Sequence, residues 1–227
     1  MTVLNADIIT QRIDQIRQSM PESVRLIAVT KQVAPAAMRI AYAAGIRDFG
    51  ESRIQEAEWK QAELQDLADV TWHLLGHLQT NKAAKALQLF QWIHSVDRLK
   101  IADRLNQLAA SLAAKPQICL QVKLLPDPNK GGWEVPALHQ DLPLLDAYEN
   151  LRIRGLMAIP PLGLTEQELA TFFQAANTLK REIQTQAWQR ICLTELSMGM
   201  SGDYAIAIES GATMIRLGRI LFGERTA

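Results

Sequence analysis

The chain has 227 residues, long for one ordinary domain and short for two. Apolar residues make up 48% of it, enough for a sizeable core and too many for a disordered chain. Lys and Arg number 24 against 24 Asp and Glu, so no global field favours nucleic acid or an anionic membrane, and no apolar run approaches the roughly 20 residues a spanning helix needs.

Residues 1–7 carry no basic region ahead of an apolar stretch, so no secretory signal is expected, and a helix over 4–20 opens the chain. The first short β-branched run is 24–29, followed by a helical stretch over 35–44 with Pro35 at its start. A strand at 46–50 leads into a helix over 52–67 rich in Glu, Gln and Ala. Strands at 71–76, 92–96 and 118–122 follow, with helices over 81–89, 97–113 and 135–148. A strand at 153–158 precedes a helix over 165–187, one at 195–198 precedes a helix over 203–210, and 214–217 is the eighth strand. Asp97, Thr165 and Asp203 stand where an N-cap or a first-turn acid belongs. Cys119 and Cys192 both fall in apolar, strand-like runs and read as buried thiols in a reducing compartment, not as a disulfide or a metal pair.

Strands alternating with helices imply a parallel sheet with crossover helices. Eight such units in about 200 residues predict a single-domain (β/α)8 TIM barrel spanning 1–227, with the extra helix in front. The competing doubly wound open sheet lacks its Gly-x-Gly-x-x-Gly turn after the first strand. The long loops at 125–132 and 159–163 would then lie at the C-terminal face of the barrel, where ligands bind.

Four groups of residues can carry chemistry there. Lys31 follows the first strand directly; at a barrel rim it either points inward as an amine nucleophile or stands as a solvated loop lysine. Ser201 and Gly202 follow the seventh strand, and Gly218 and Arg219 the eighth, the positions from which barrels commonly hold phosphate. Glycines let backbone N–H groups approach an anion, and Ser201 adds a hydroxyl donor. Arg216, inside an apolar strand, needs an acceptor: either a core carboxylate such as Asp48 or Glu51, or a ligand atom. His73 and His77 are four apart, but the segment reads as strand and loop with no third ligand, so no metal site is expected. His77 is expected to line a pocket and His73 to be a satisfied core histidine, while His94 and His139 suggest no role. Trp133 either covers a ligand or packs under a loop. No Gly-x-Ser-x-Gly elbow is present.

Several motifs occur together in one order: Val29-Thr30-Lys31, Phe49-Gly50-Glu51-Ser52, His73 to Lys82, Ser95-Val96-Asp97, Gly155 to Pro160, Leu196 to Tyr204, and Met214 to Arg219. In these the chain strongly resembles the YggS/PROSC family of pyridoxal phosphate homeostasis proteins, over nearly its whole length. The resemblance implies a barrel of the alanine racemase N-terminal type. It implies pyridoxal 5′-phosphate bound as an aldimine to Lys31, phosphate held by Ser201 and Gly218, and Arg216 beside the pyridine nitrogen. His77, Met198, Arg219 and Ser52 complete the implied cofactor-binding set. Two positions depart from the family pattern: Ser52 and Lys123 each replace a usual Asn.

An arginine only donates, so it keeps the ring nitrogen unprotonated and the ring a poor electron sink. Racemases with the same arginine add a tyrosine base from a β-rich second domain, for which this chain leaves no room after its eighth strand. The expected function is non-enzymatic: a cytoplasmic monomer that binds and buffers pyridoxal phosphate and passes it to apoenzymes, affecting vitamin B6 and amino-acid and keto-acid balance. The alternatives are a racemase-like enzyme using the same cofactor, or a barrel enzyme acting on a sugar phosphate without one.

Overall fold

The structure, a computed structural model, describes residues 6–223. In chain order the elements are α1 (Ala6–Gln18), β1 (Arg25–Val29), α2 (Pro35–Ala43), β2 (Asp48–Glu51), α3 (Ile54–Glu63) and β3 (Thr71–Leu74). A 3-10 turn (Thr80–Lys82) leads into α4 (Ala83–Leu89), β4 (Trp92–Val96), α5 (Leu99–Ala109), β5 (Gln117–Lys123), β6 (Trp133–Glu134) and α6 (Val135–Asp146). The chain continues with β7 (Arg152–Ala158), α7 (Glu166–Gln184), β8 (Glu195–Ser197), α8 (Tyr204–Glu209), β9 (Met214–Leu217) and α9 (Arg219–Phe222).

Every strand pairing is parallel. The ring runs β1-β2-β3-β4-β5-β7-β8-β9 and back to β1, closed where Trp92 of β4 faces Gln117 of β5 and where Arg25 of β1 faces Met214 of β9. The result is the closed eight-stranded α/β barrel that the sequence pattern predicts. β6 stands outside the ring as two residues added to the tip of β5, at Val122 and Lys123.

The pleat sorts each strand into two faces. On β1, Leu26 and Ala28 join the large apolar layer beneath the helices, whereas Ile27 joins Trp92, Cys119, Met157 and Met214 inside the barrel. On β9, Ile215 and Leu217 face the helices while Met214 and Arg216 lie on the other face. The outer layer carries most of the apolar burial. In α7, Phe172, Phe173, Ala176, Leu179 and Ile183 form one buried stripe, and fully burying a side chain such as Phe173 contributes about 1.5–3 kcal/mol.

The cap expectations resolve differently. Thr165 caps α7 in a capping box with Glu168. Asp97 does not cap α5, whose N-cap is Arg98; its carboxylate binds His77 and Arg98 instead. Asp203 holds the N-cap position of α8 but accepts from the N–H of Met200 at 2.5 Å, shaping the turn before the helix. The predicted opening helix is α1, with buried Ile9, Ile13 and Ile16; residues 4 and 5 lie outside the described residues. Arg17 on α1 donates to the carbonyls of Ala44 and Gly45 at 2.6 and 2.7 Å and so closes the C-terminal end of α2.

Cys119 is buried as expected, and burial pushes its thiol pKa up. Cys192 is not: it is exposed and lies in a loop. The N–H groups of Gln189, Arg190 and Ile191 donate to the Asp146 carboxylate at 2.8–3.0 Å, which fastens the residues just before it to α6. Cys192 itself makes a single backbone bond, from its N–H to the Ile153 carbonyl of β7 at 3.1 Å, without continuing as a strand. Among the described residues no helix is long and apolar enough to cross a membrane.

Candidate functional site

The parallel barrel gathers the C-terminal ends of its strands on one face, and the candidate residues sit there. Register fixes their spacing. Ala28 of β1 pairs with Leu217 of β9, which sets Gly218 across from Val29, and Lys31 comes two residues further along. The first-strand lysine and the last-strand glycine, nearly 190 residues apart, are thereby neighbours.

Lys31 is half-buried and lines a cavity of about 240 Å³ with Gln32, Ser52, Arg53 and Glu56. Its backbone is held on both sides. Thr30 is buried, and its hydroxyl donates to Glu51 Oε1 at 2.6 Å. Lys60, buried on α3, reaches across with Nζ at 2.5 Å from the Thr30 carbonyl, 2.8 Å from Glu51 Oε1 and 2.6 Å from Glu56 Oε1. On the other side Gln32 is left-handed, with φ 60°, a conformation costing about 1–2 kcal/mol outside glycine. Its N–H donates to Glu56 Oε1 at 2.5 Å, a charge-assisted bond that offsets the strain. Burial raises the pKa of Glu51 against the opposing pull of Lys60 and Thr30, and its Oε2 is buried without a partner among the described residues. Glu56 titrates below the usual carboxylate range; partial burial opposes this, but Lys60 and the Gln32 N–H outweigh it.

The β8–α8 turn forms the second part. Gly199 has φ 92°, and a Cβ there would lie 2.7 Å from that of Ala207. The N–H groups of Ser201 and Gly202 donate to no acceptor among the described residues, and a Cβ on Gly202 would meet nothing within 4 Å. Gly218 precedes α9, and Arg219 is exposed on that helix. The turn therefore offers open backbone donors beside a glycine, which suits an anion. The nearby Asp203 carboxylate is occupied by the Met200 N–H, and burial raises its pKa against Arg216 and Lys130.

Arg216 lies between these parts, 5% exposed. Neither Asp48 nor Glu51 is its partner: Nη1 donates to Ser197 Oγ at 2.8 Å and Nη2 to the Ala158 carbonyl at 3.1 Å. Those two bonds leave three of the five guanidinium N–H donors for something else. Burial lowers its pKa to about 10, with Asp203 opposing, so it remains charged at neutral pH.

The other candidates scatter more widely. Ser52 lines the Lys31 cavity, and Gly76 packs so tightly on it that a Cβ there would lie 2.0 Å from the Ser52 carbonyl oxygen. His77 is mostly exposed and pairs through Nδ1 with Asp97 at 3.1 Å. Met198 is buried, but its side chain belongs to the apolar layer under the helices. Trp133 is buried, with Nε1 donating to Asp141 at 2.8 Å, which ties it to α6 and favours the packing alternative. His73 is a satisfied core histidine, between Asp48 and His94. No group of three or more His, Cys, Asp or Glu among the described residues could hold a metal ion. Sequence reasoning missed Lys60, Glu51 and Glu56 around Lys31, and Ser197 and His94 behind Arg216. The inward alternation of Trp92, His94 and of Ser197 along their strands is the one signal that would have found the latter pair.

Residues 4–226 match the family model described as alanine racemase, N-terminal domain. The pyridoxal phosphate homeostasis protein of Synechocystis is 53% identical over 211 residues, 93% of this chain and 96% of that protein. Its namesake in Pseudomonas aeruginosa is 44% identical over 209 residues, 90% of this chain and 86% of that protein. Among solved structures, PipY of Synechococcus elongatus with PLP bound is 53% identical with a TM-score of 0.91, covering 95% of this chain and 100% of that one. An alanine racemase from Clostridium difficile shares the fold at 15% identity and a TM-score of 0.77, this chain spanning 58% of it. On the match to that family model and to these relatives over nearly its whole length, this chain belongs to the pyridoxal phosphate homeostasis protein family, built on the alanine racemase N-terminal domain.

Proposed function

We propose that this chain is a non-enzymatic holder of pyridoxal 5′-phosphate, binding it reversibly through Lys31 and releasing it to the cell's pool and to apoenzymes. The donor set fits the group. The Ser201 hydroxyl and the N–H groups of Ser201, Gly202 and Gly218 suit its phosphate, Arg219 adds positive charge at the rim, and Lys31 is the amine for its aldehyde. When bound, the cofactor supplies a reversible imine to that lysine and an aromatic ring able to delocalise charge. Ser52 and His77 stand at the same face and complete the rim.

Arg216 is the observation that carries the reading. It is buried, charged and retains unused donors between the anion turn and Lys31. A group that only donates and stays protonated holds the ring nitrogen as an acceptor, without a proton. The ring then draws electrons poorly, which suits storage better than amino-acid chemistry. The names of the relatives, and the PipY structure with PLP bound, support the same conclusion.

A spectral titration tests it. Full-length protein with pyridoxal phosphate is expected to develop the visible imine band, Lys31→Ala to lack it, and Arg216→Ala and Ser201→Ala to bind about ten- to a hundredfold more weakly. Incubation of the loaded protein with alanine or serine in deuterated water is expected to show no enzymatic α-proton exchange. Exchange at enzymatic rates would replace the holder with a racemase-like enzyme, and unchanged affinity in both weakened variants would break the site assignment.

A further inference from the structure

A line of buried polar groups runs from Arg216 across the barrel interior, and the cofactor reading leaves it without a role. Arg216 Nη1 donates to Ser197 Oγ at 2.8 Å. Ser197 Oγ lies 2.9 Å from His94 Nδ1. His94 Nε2 lies 2.9 Å from His73 Nδ1, and His73 Nε2 lies 2.8 Å from Asp48 Oδ1. The line joins β9, β8, β4, β3 and β2, and Ser197, His94 and His73 are at most 1% exposed.

Its direction follows from the chemistry of its two ends. Arginine can only donate and an ionised carboxylate can only accept. With both imidazoles neutral, one arrangement of protons satisfies every link. The Ser197 hydroxyl donates to His94 Nδ1, His94 Nε2–H donates to His73 Nδ1, and His73 Nε2–H donates to Asp48. The reverse arrangement turns a ring lone pair of His73 against the carboxylate. Burial keeps both rings neutral: His94 titrates well below the ordinary histidine range, and His73 below it despite the opposing pull of Asp48. The charged and titratable groups around the line are Arg25, which is 3.8 Å from Asp48, together with Arg216, the Asp203 carboxylate and Cys119 thiol that act on Arg216, and Glu195, which acts on Cys119.

Barrel interiors are ordinarily filled by branched apolar side chains. A buried polar chain gives specificity only when every member is satisfied, and here each member is. The hydroxyl hydrogen of Ser197 is drawn away by His94, which leaves the oxygen lone pairs facing the guanidinium. We propose that Ser197, His94, His73 and Asp48 are positioning residues for Arg216, a one-way hydrogen-bond chain that fixes the guanidinium with its remaining donors turned to the ring-nitrogen site. The proposal rests on the assignment of Arg216 to that nitrogen.

Two measurements test it. The first is histidine 15N NMR on the full chain, with and without pyridoxal phosphate. His94 and His73 are expected to be neutral with the proton on Nε2 at neutral pH; a proton on Nδ1, or an imidazolium, in either ring overturns the chain. The second is affinity for pyridoxal phosphate, together with the pH profile of the visible band, in folded variants. Ser197→Ala and His94→Phe are expected to weaken binding about three- to tenfold and to shift the profile, and Ser197→Thr, which restores the hydroxyl, to return both toward wild type. Wild-type affinity and profile in Ser197→Ala and His94→Phe, with Arg216→Ala impaired, would reduce the line to packing and overturn the inference alone. Unchanged binding in Arg216→Ala would overturn the inference together with the ring-nitrogen reading.

Discussion

Lys60→Met removes a charge from the ion cluster under Lys31 while roughly keeping side-chain volume. Lys60 is 1% exposed and Glu51 0%, and Nζ makes three bonds of 2.5–2.8 Å. Breaking one partner of such a pair costs about 3–5 kcal/mol, because the other charge is left buried and unpaired. Against a total stability of about 5–15 kcal/mol, that is about a fifth of the protein's margin or more. The orphan causes most of the loss, so Lys60→Met/Glu51→Leu should recover at least about 2 kcal/mol of it. The pH dependence has a definite sign. Burial already raises the pKa of Glu51, and loss of Lys60 raises it further. A carboxyl whose folded pKa exceeds its unfolded value loses stability as pH rises through the interval between them. The deficit of the single variant is therefore smaller at about pH 5 than at about pH 8. Urea unfolding followed by tryptophan fluorescence at both pH values measures each quantity. A single-variant cost below about 1 kcal/mol, or a double variant equal to the sum of its parts, would refute the reasoning.

Other substitutions separate structure from binding. Gly199→Ala, at φ 92° and against Ala207, should cost about 1–3 kcal/mol in denaturant unfolding and weaken cofactor binding with it. Gly202→Ala has open space, so stability should stay within about 0.5 kcal/mol; weaker binding in a stable variant then assigns the effect to the ligand, read by spectral titration. Thr165→Ala removes the cap of α7 far from the site, and calorimetry should find Tm lower by about 2–4 °C with cofactor affinity unchanged. His73 and His94 titrate below their unfolded value of about 6.5. Their contribution is complete above that pH and is lost as pH falls toward the folded values, so urea titrations should show stability dropping below about pH 6.5, with a shallower slope in His94→Gln.

What could be read from the sequence was local. Runs such as Leu26-Ile27-Ala28 and Met214-Ile215 announce strands through composition alone, and the helices between them through their apolar spacing, so barrel topology followed from element order. β6 and α9 escaped because two and four residues carry no period. The sequence places Cys192 in a strand because Ile191-Cys192-Leu193 resembles one, while the residues just before it are held by Asp146, more than 40 positions away, and the strand begins only at Glu195. Lys31, Arg216 and Ser201 were visible as strand-end chemistry. Lys60 was not, because a lysine in a Glu- and Gln-rich helix looks like any solvated one until the fold turns it inward. His94 was dismissed for the same reason: a lone histidine in a strand gains meaning only from the strands opposite.

The line from Arg216 to Asp48 also bears on how this barrel can change over evolutionary time. In the one-way arrangement each inner member, Ser197, His94 and His73, accepts a hydrogen bond from one neighbour and donates one to the next. Replacing one of those three deprives two neighbours of a partner at once, a penalty that falls on the intermediate rather than on either endpoint. These positions should therefore be exchanged as a set, with single steps selected against, while the apolar residues around them drift freely at constant volume.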